Sequence, residues 1–450
     1  MIISKNPYNG EEIFKIKEFT KKDIDNALAN AEERFNSWKS ISFGERAELL
    51  QNLAKELKRN SREYATDMSL EMGKPISQSI AEIEKCAWVC EYYAENAENQ
   101  LSNEVIKTDA SESYVSFEPL GVILAIMPWN YPFWQVFRFA APALMAGNIA
   151  VLKHASNVMK SAANIQKAFE RAGFPGGCFQ NLSIGSDKVE AIIRDPRVKA
   201  VTLTGSNPAG SAVASVAGEE IKKTVLELGG SNALVVFEDA NLEETVKTCV
   251  MARFQNTGQS CIAGKRLLLQ KNIAEDFLEE FTRQVRELKS GDPMDEETFI
   301  GVLAREDLAE DIEEQVQKSL DMGAEIILGG NRDSAYYEPS ILINVKPGMP
   351  VFDEETFGPV IGVTTFKDEN EAVELVNLSK FGLGVSVFTG NLALAKKIIP
   401  RFEDGAVFIN DLVKSDPRLP FGGTKSSGYG RELSEHGIRE FVNRKTVYFK

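Results

Sequence analysis

The sequence predicts an α/β protein with a parallel, doubly wound sheet and a second α/β unit. Two observations carry this prediction. Short, almost wholly apolar runs of strand length recur from residue 121 onward, and most are followed by a stretch of helical periodicity. Strands apolar on both faces are those buried between two helical layers, the condition of a parallel sheet. The chain has 450 residues, 43% of them hydrophobic, which is enough for more than one domain.

The elements follow in order. The first hundred residues read as helices over 23–39, 44–58 and 77–99, preceded by a turn signal, "NPYNG". "GVILAIM" (121–127) is a buried strand, and a helix opens after Pro132, a residue suited to a first helical turn. "IAVLKHA" (149–155) is the next strand, followed by a helix through Ala172. "VKAVTLTGS" (198–206) is a third, with a helix from about Asn207. A second alternating series holds "SNALVVF", "KRLLLQ", a helix over 277–288, "GVSVFTG" and "GAVFIN". The closing "RKTVYFK" is a strand that pairs with another segment or subunit, or is an ordinary edge.

The formal net charge of −15 argues against nucleic acid and anionic membranes as partners. It also means that an anionic substrate needs a local cationic receptor. No apolar run is long enough to span a bilayer, and the N-terminus has no apolar signal core, so a cytoplasmic protein is expected. Five cysteines (Cys86, Cys90, Cys178, Cys249 and Cys261) are an odd, sparse set for a disulfide framework. Cys86 and Cys90, one helical turn apart, read as core positions. With His154 and His436 the only histidines, no metal site is expected.

Cys261 stands apart. In "FQNTGQSCIAGKR" it lies among small and polar residues, with Lys265 and Arg266 just beyond. A packed thiol usually has apolar neighbours. The remaining readings are a metal ligand and a nucleophile. With so few histidines, a nucleophile's base would be a carboxylate.

Five further segments suggest chemistry. In "MPWNYP", Asn130 follows a buried strand, where ligands of open α/β sheets bind. Its amide suits an oxyanion, or equally a helix cap. In "VLKHAS", Lys153 ends a strand as a ligand contact or a snorkelling side chain. "TLTGSNPAG" runs from strand to Gly-Ser turn to helix N-terminus, a plausible phosphate site. In "LELGGSN", Glu227 sits in an apolar run, as a general base or as the partner of a buried cation. "DEETFGPV" runs an acidic turn into Phe357, and a solvated loop explains Glu355 poorly.

Taken together and in order, "PWNYP", "TGS", "ELGG", "GQSC", "EETFGPV" and "PFGGTKSSGYGRE" resemble the aldehyde dehydrogenase superfamily over nearly the whole chain. "LKHASN", "RFQNTGQSC" and "GRELSEHGIREF" are similar to bacterial succinate-semialdehyde dehydrogenases. The resemblance implies a Rossmann-like NAD(P)-binding domain over 1–100 and 120–229, a catalytic domain over 230–430, and a β oligomerisation arm from 101–119 and 431–450, in a homodimer or homotetramer. It makes Cys261 the nucleophile, Glu227 the base and Asn130 the oxyanion amide. It places Trp129, Lys153, Ser156, Gly205, Ser206, Leu228, Glu355 and Phe357 at the cofactor. His154 departs from the proline common at its position and is not expected to touch the chemistry.

Ser156 stands where many NAD-preferring relatives carry glutamate. The loss of that carboxylate favours NADP, with NAD the alternative. Gln135 and Arg138 share a helix face beyond Asn130, and Arg138 is the expected receptor for a substrate carboxylate. Ser415 and Arg418 are secondary candidates. The implied reaction oxidises a small aldehyde, succinate semialdehyde by size and charge, through a thiohemiacetal and an acyl-thioester. An NAD(P)-dependent dehydrogenase of another small or aromatic aldehyde, a cofactor-independent thiol esterase, a CoA-acylating dehydrogenase and a non-catalytic relative are the rivals. Glu227 favours water as the acyl acceptor.

Overall fold

The computed structural model describes residues 1–450. The chain opens on an antiparallel hairpin, Ile2–Lys5 with Glu12–Ile16. "NPYNG" is its turn: Asn6 Oδ1 accepts from the Tyr8 amide, and Gly10 takes φ 78°. Neither strand shows a period-two apolar pattern, so the sequence reveals only the turn. A distant contact helps hold the hairpin: the Ser4 hydroxyl accepts from the Met159 amide.

Four helices follow where three are expected: Lys21–Trp38, Phe43–Arg59, Ser61–Met72 and Ile76–Gln100. The first two start in reciprocal caps, Thr20 with Asp23 and Ser42 with Glu45. The unforeseen third helix abuts the second at Asn60, with no glycine or proline to mark the break.

The first sheet has five parallel strands, in the order Lys223–Glu227, Val198–Thr204, Val122–Met127, Ile149–His154, Phe179–Asn181. Gly428–Tyr429, from far along the chain, adds an antiparallel edge beside Lys223–Glu227. The strands that follow Val122–Met127 in the chain lie on opposite sides of it. The crevice beyond Met127 is therefore the topological switch point where such sheets bind ligands. The helix after Met127 is Trp134–Met145, capped by Phe133, so Pro132 lies just ahead of its first turn rather than in it. Pro132 instead offers its carbonyl to buried His154.

The second sheet has seven strands, with Asn232–Val236 beside Gly264–Gln270 near its centre. Alternate residues of Asn232–Val236 feed two separate cores. Ala233 and Val235 pack on one face, and Leu234 and Val236 on the other. A third sheet pairs Val442–Phe449 with Glu112–Pro119, which also pairs with Glu104–Val105. Val105, Tyr448 and Phe449 stand exposed on it. No helix is long and apolar enough to cross a membrane.

Candidate active site

The segment before Cys261 has an unusual backbone. Asn256, Thr257 and Gly258 all take positive φ, at 55°, 54° and 72°. For a β-branched threonine this is a true outlier, of the kind that persists only where the surroundings impose it. Three contacts do so. Asn256 Nδ2 donates to the carbonyls of Asn130 and Gln259 at 2.8 and 3.0 Å. Thr257 Oγ1 accepts from the Gly301 amide. A side chain at Gly258 would collide with the Gly358 carbonyl. Beyond the turn, Lys265 Nζ donates to the carbonyls of Ser260 and Cys261, both at 2.8 Å. The sequence signals Lys265 only as one of a basic pair. Its neighbour Arg266 turns away, to the carbonyls of Ser231 and Leu375.

Asn130 is held from both ends. Its Nδ2 donates to the Gln259 carbonyl at 3.0 Å, and its Oδ1 accepts from Gln135 Nε2 at 3.0 Å. One amide hydrogen remains for a developing oxyanion. Gln135, expected at the substrate, thus orients Asn130. His154 Nδ1 accepts from the Ala155 amide, so its Nε2 carries the proton given to Pro132. Burial pushes its pKa down to about 4, and the imidazole is neutral.

Glu227 ends its strand 2% exposed, and neither carboxylate oxygen has a hydrogen-bond partner. Burial, and next the charge of Glu432, raise it well above the ordinary carboxylate range. Glu432 is also raised by burial, against the pull of Arg138, with which it forms a buried ion pair. Arg138 Nη2 also donates to Thr204 Oγ1, and its guanidinium lies over the Phe421 ring. Glu432 lies in the "GRE" of a motif read as a whole, which gives no hint that it meets Arg138.

The crevice beyond the first sheet fits a dinucleotide. Ser206 caps the helix Asn207–Glu219 without a side-chain hydrogen bond, so the amides of the first turn point outward unmet by it, as a pyrophosphate requires. Gly205 precedes it, its amide tied to the Glu227 carbonyl. Gly210 lets this helix close on Leu228: a Cβ there would stand 2.6 Å from that side chain. Lys153 is buried at its strand end, and the charge that attracts it is Asp187's. Ser156 is exposed, three residues on, at the start of a short 3-10 turn. Trp129 and Phe357 meet edge to face at 5.7 Å. Glu355 Oε1 accepts from the Gly230 amide at 2.9 Å and from Lys265 Nζ at 3.1 Å.

Cys261 opens onto a cavity of about 180 Å³, whose wall includes Lys85, Trp134, Gln135, Arg138, Ser415 and Phe421. This is smaller than a drug-sized pocket and suits a short chain. Arg418 is not among its lining residues. Its side chain is 67% exposed and doubly bound to Asp416, which satisfies it outside the cavity. A larger cleft of about 760 Å³, between Lys21 and Arg197, holds none of these groups. The other four cysteines are buried and unpaired, and no cluster of side chains suits a metal ion.

Burial pushes the Cys261 thiol up to about 11, against the charges of Lys265 and Arg138. A group raised this far is held chiefly as the thiol at pH 7. Alkylation of Cys261 by iodoacetamide, read by peptide mass spectrometry, should therefore accelerate about tenfold per pH unit between 7 and 9. A plateau below pH 9 would contradict this assignment.

Residues 1–447 match the model of the aldehyde dehydrogenase family. The chain is 49% identical to a protein of Synechocystis sp. named probable succinate-semialdehyde dehydrogenase (NADP(+)), over 98% of both chains. It is 46% identical to succinate-semialdehyde dehydrogenase (NADP(+)) 1 of Mycobacterium tuberculosis, again over 98% of both. Its fold superposes with TM-score 0.97, at 36% identity and over the whole of both chains, on the crystal structure of succinic semialdehyde dehydrogenase from Streptococcus pyogenes in complex with NADP+. The chain belongs to the aldehyde dehydrogenase family.

Proposed function

We propose that this enzyme oxidises succinate semialdehyde to succinate, with NADP(+) as preferred oxidant and NAD(+) as the alternative. The observation that carries the reading is one small cavity holding the Cys261 thiol, with the Asn130 amide tied to the same turn and cations in the wall. The names and NADP(+) of the relatives support it. The first sheet and its helices serve the cofactor, and the second sheet carries the nucleophile.

Cys261 gives its proton to solvent water as its sulfur bonds to the aldehyde carbon, and the carbonyl π pair moves onto oxygen. The free Asn130 N–H and a backbone amide meet that charge. A bound nicotinamide dinucleotide supplies the two-electron acceptor for hydride. Ser206 and the helix amides behind it would hold its phosphates, Lys153 and Ser156 the adenosine ribose, and Glu355, Phe357 and Trp129 the nicotinamide end. The product on Cys261 is an acyl-thioester. Glu227, made more basic by its burial, takes a proton from water as the water oxygen bonds to the acyl carbon. The C–S bond then breaks and the proton returns to sulfur.

The exposed apolar residues of the three-stranded sheet support assembly through that arm, as a homodimer or homotetramer. Five unpaired thiols suit a reducing, cytoplasmic setting.

Reduced-nicotinamide absorbance with succinate semialdehyde and NADP(+) tests the activity. Wild type should turn over, Cys261→Ala should not, and Glu227→Gln should give a burst of about one reduced cofactor per site followed by slow turnover. No reduction with any of a broad aldehyde panel would overturn the reading, and unchanged steady-state turnover in Glu227→Gln would remove that residue from the mechanism. Ser156→Glu should move the NADP(+)/NAD(+) ratio of kcat/KM toward NAD(+) by about tenfold, the repulsion of a 2′-phosphate. A wild type that already prefers NAD(+) would refute the role of Ser156. Light scattering should find a multiple of 49.8 kDa at micromolar concentration, and a monomer alone would reject the arm as an interface.

A further inference from the structure

Lys265 is fully buried, and its ammonium has three acceptors: the carbonyls of Ser260 and Cys261, both at 2.8 Å, and Glu355 Oε1 at 3.1 Å. An ammonium has three protons, so these bonds use all of them. A lysine is almost never this buried unless it is paired. Here two of its three partners are the main-chain carbonyls on either side of the Cys261 α-carbon.

The peptide plane gives that contact a consequence. In a trans peptide the carbonyl and the N–H point in opposite directions. The Ser260 carbonyl shares its peptide with the Cys261 N–H. That carbonyl is turned to Lys265 and also accepts from the Ala263 amide at 3.2 Å, so the Cys261 N–H is directed away from the ammonium. The Cys261 N–H has no acceptor within the protein. The next carbonyl is fixed as well: a Cβ at Gly230 would stand 2.6 Å from the Cys261 oxygen. Asn130 reaches the same turn through the Gln259 carbonyl and keeps one hydrogen free. Two unmet N–H groups thus converge on the turn that carries the thiol.

The charged and titratable groups that act on Lys265 are Glu355, Arg253 and Cys261. Burial pushes its pKa down, and Glu355 holds it up. Arg253, also fully buried, repels it while donating to the Thr356 carbonyl. Glu355 is therefore the carboxylate that keeps the ammonium charged. Lys265 is not among the residues lining the cavity of Cys261, so any effect it has on the substrate passes through the peptide it holds.

We propose that Lys265 is a positioning residue for the oxyanion: by holding the carbonyls on both sides of Cys261, it fixes the Cys261 N–H as the backbone donor that joins the Asn130 amide at the substrate oxygen. The ammonium also polarises the peptide it binds, which strengthens that N–H as a donor. This rests on Cys261 being the nucleophile of the proposed reaction.

Two reactions of Cys261 in the cofactor-free protein test the role. Acylation by p-nitrophenyl acetate forms an S–C bond as the carbonyl π pair moves onto oxygen, and p-nitrophenolate then leaves. Alkylation by iodoacetamide forms an S–C bond as iodide leaves, with no oxyanion. Both need the thiolate, so a change confined to the thiol moves both alike. The two rates are measured at one pH in wild type, Lys265→Met, Lys265→Arg and Cys261→Ala, by p-nitrophenolate release and peptide mass spectrometry. Lys265→Met should lower the acylation-to-alkylation ratio about tenfold or more, part of what loss of an oxyanion donor costs. Lys265→Arg, which keeps the charge and the donors, should recover most of the ratio. If Lys265→Met fails to fold, seen as alkylation of the four buried cysteines, Lys265→Gln takes its place with the same fall expected. An unchanged ratio, including an equal fall in both rates, would make Lys265 a structural residue and overturn the proposal alone. If Cys261→Ala keeps the wild-type rate of acylation, the nucleophile reading falls and the Lys265 assignment with it.

Discussion

The left-handed turn at Asn256, Thr257 and Gly258 is the constraint around which the site is arranged. Positive φ at two consecutive non-glycine residues, one of them β-branched, costs on the order of 1–3 kcal/mol each. The surrounding structure holds this strain by fixing the turn from three sides: the Asn130 carbonyl, the Gly301 amide and the Gly358 backbone. The result is a chain reversal that ties Gln259 to Asn130 and leaves Cys261 facing the cavity. Cys261 and Asn130 belong to different sheets, yet the Gln259 carbonyl accepts from the side-chain amides of both Asn256 and Asn130. Their relative position is set by short hydrogen bonds rather than by the packing of two units.

Buried charge is the second organising theme. Lys74 with Glu82, Arg138 with Glu432, and Lys265 with Glu355 are paired ions at the site. Desolvation makes such pairs poor sources of stability, but breaking one leaves a buried charge unmet. Their effect here is positional. Glu82 accepts from the first amides of the helix that carries Gln135 and Arg138, and Lys265 gathers the carbonyls around Cys261. Glu227 differs in having no hydrogen-bonded partner. An unpaired buried carboxylate is costly to ionise, and that is what makes it a strong base once it has done so.

Much of the architecture was legible because its signals are local. Apolar strands such as Val122–Met127 and the helices after them follow from side-chain periodicity, which needs no knowledge of neighbours. The helix Ser61–Met72 and the hairpin at Ile2–Lys5 were not legible. One lacks a breaker at its start, and the other lacks alternation, so each is defined by what it packs against. The site shows the same division. Cys261 and Glu227 announce themselves by contrast with adjacent residues, a polar loop around one and an apolar strand around the other. Gln135 and Arg418 carry no such mark, and the sequence could not tell that the first orients Asn130 or that the second is satisfied by Asp416.

By itself the sequence determined the class of fold and the family, and it marked the strand ends and the residues proposed to react. All of these depend on residue type and on neighbours a few positions away. Only the tertiary structure decided which charges meet. Arg138 lines the cavity of Cys261 while pairing with Glu432, and Lys85, unremarkable in an amphipathic helix, reaches Ser415 and the same cavity. The physical reason is that Coulomb and hydrogen-bond energies depend on distance through space, and distances between residues hundreds of positions apart exist only once the chain has folded.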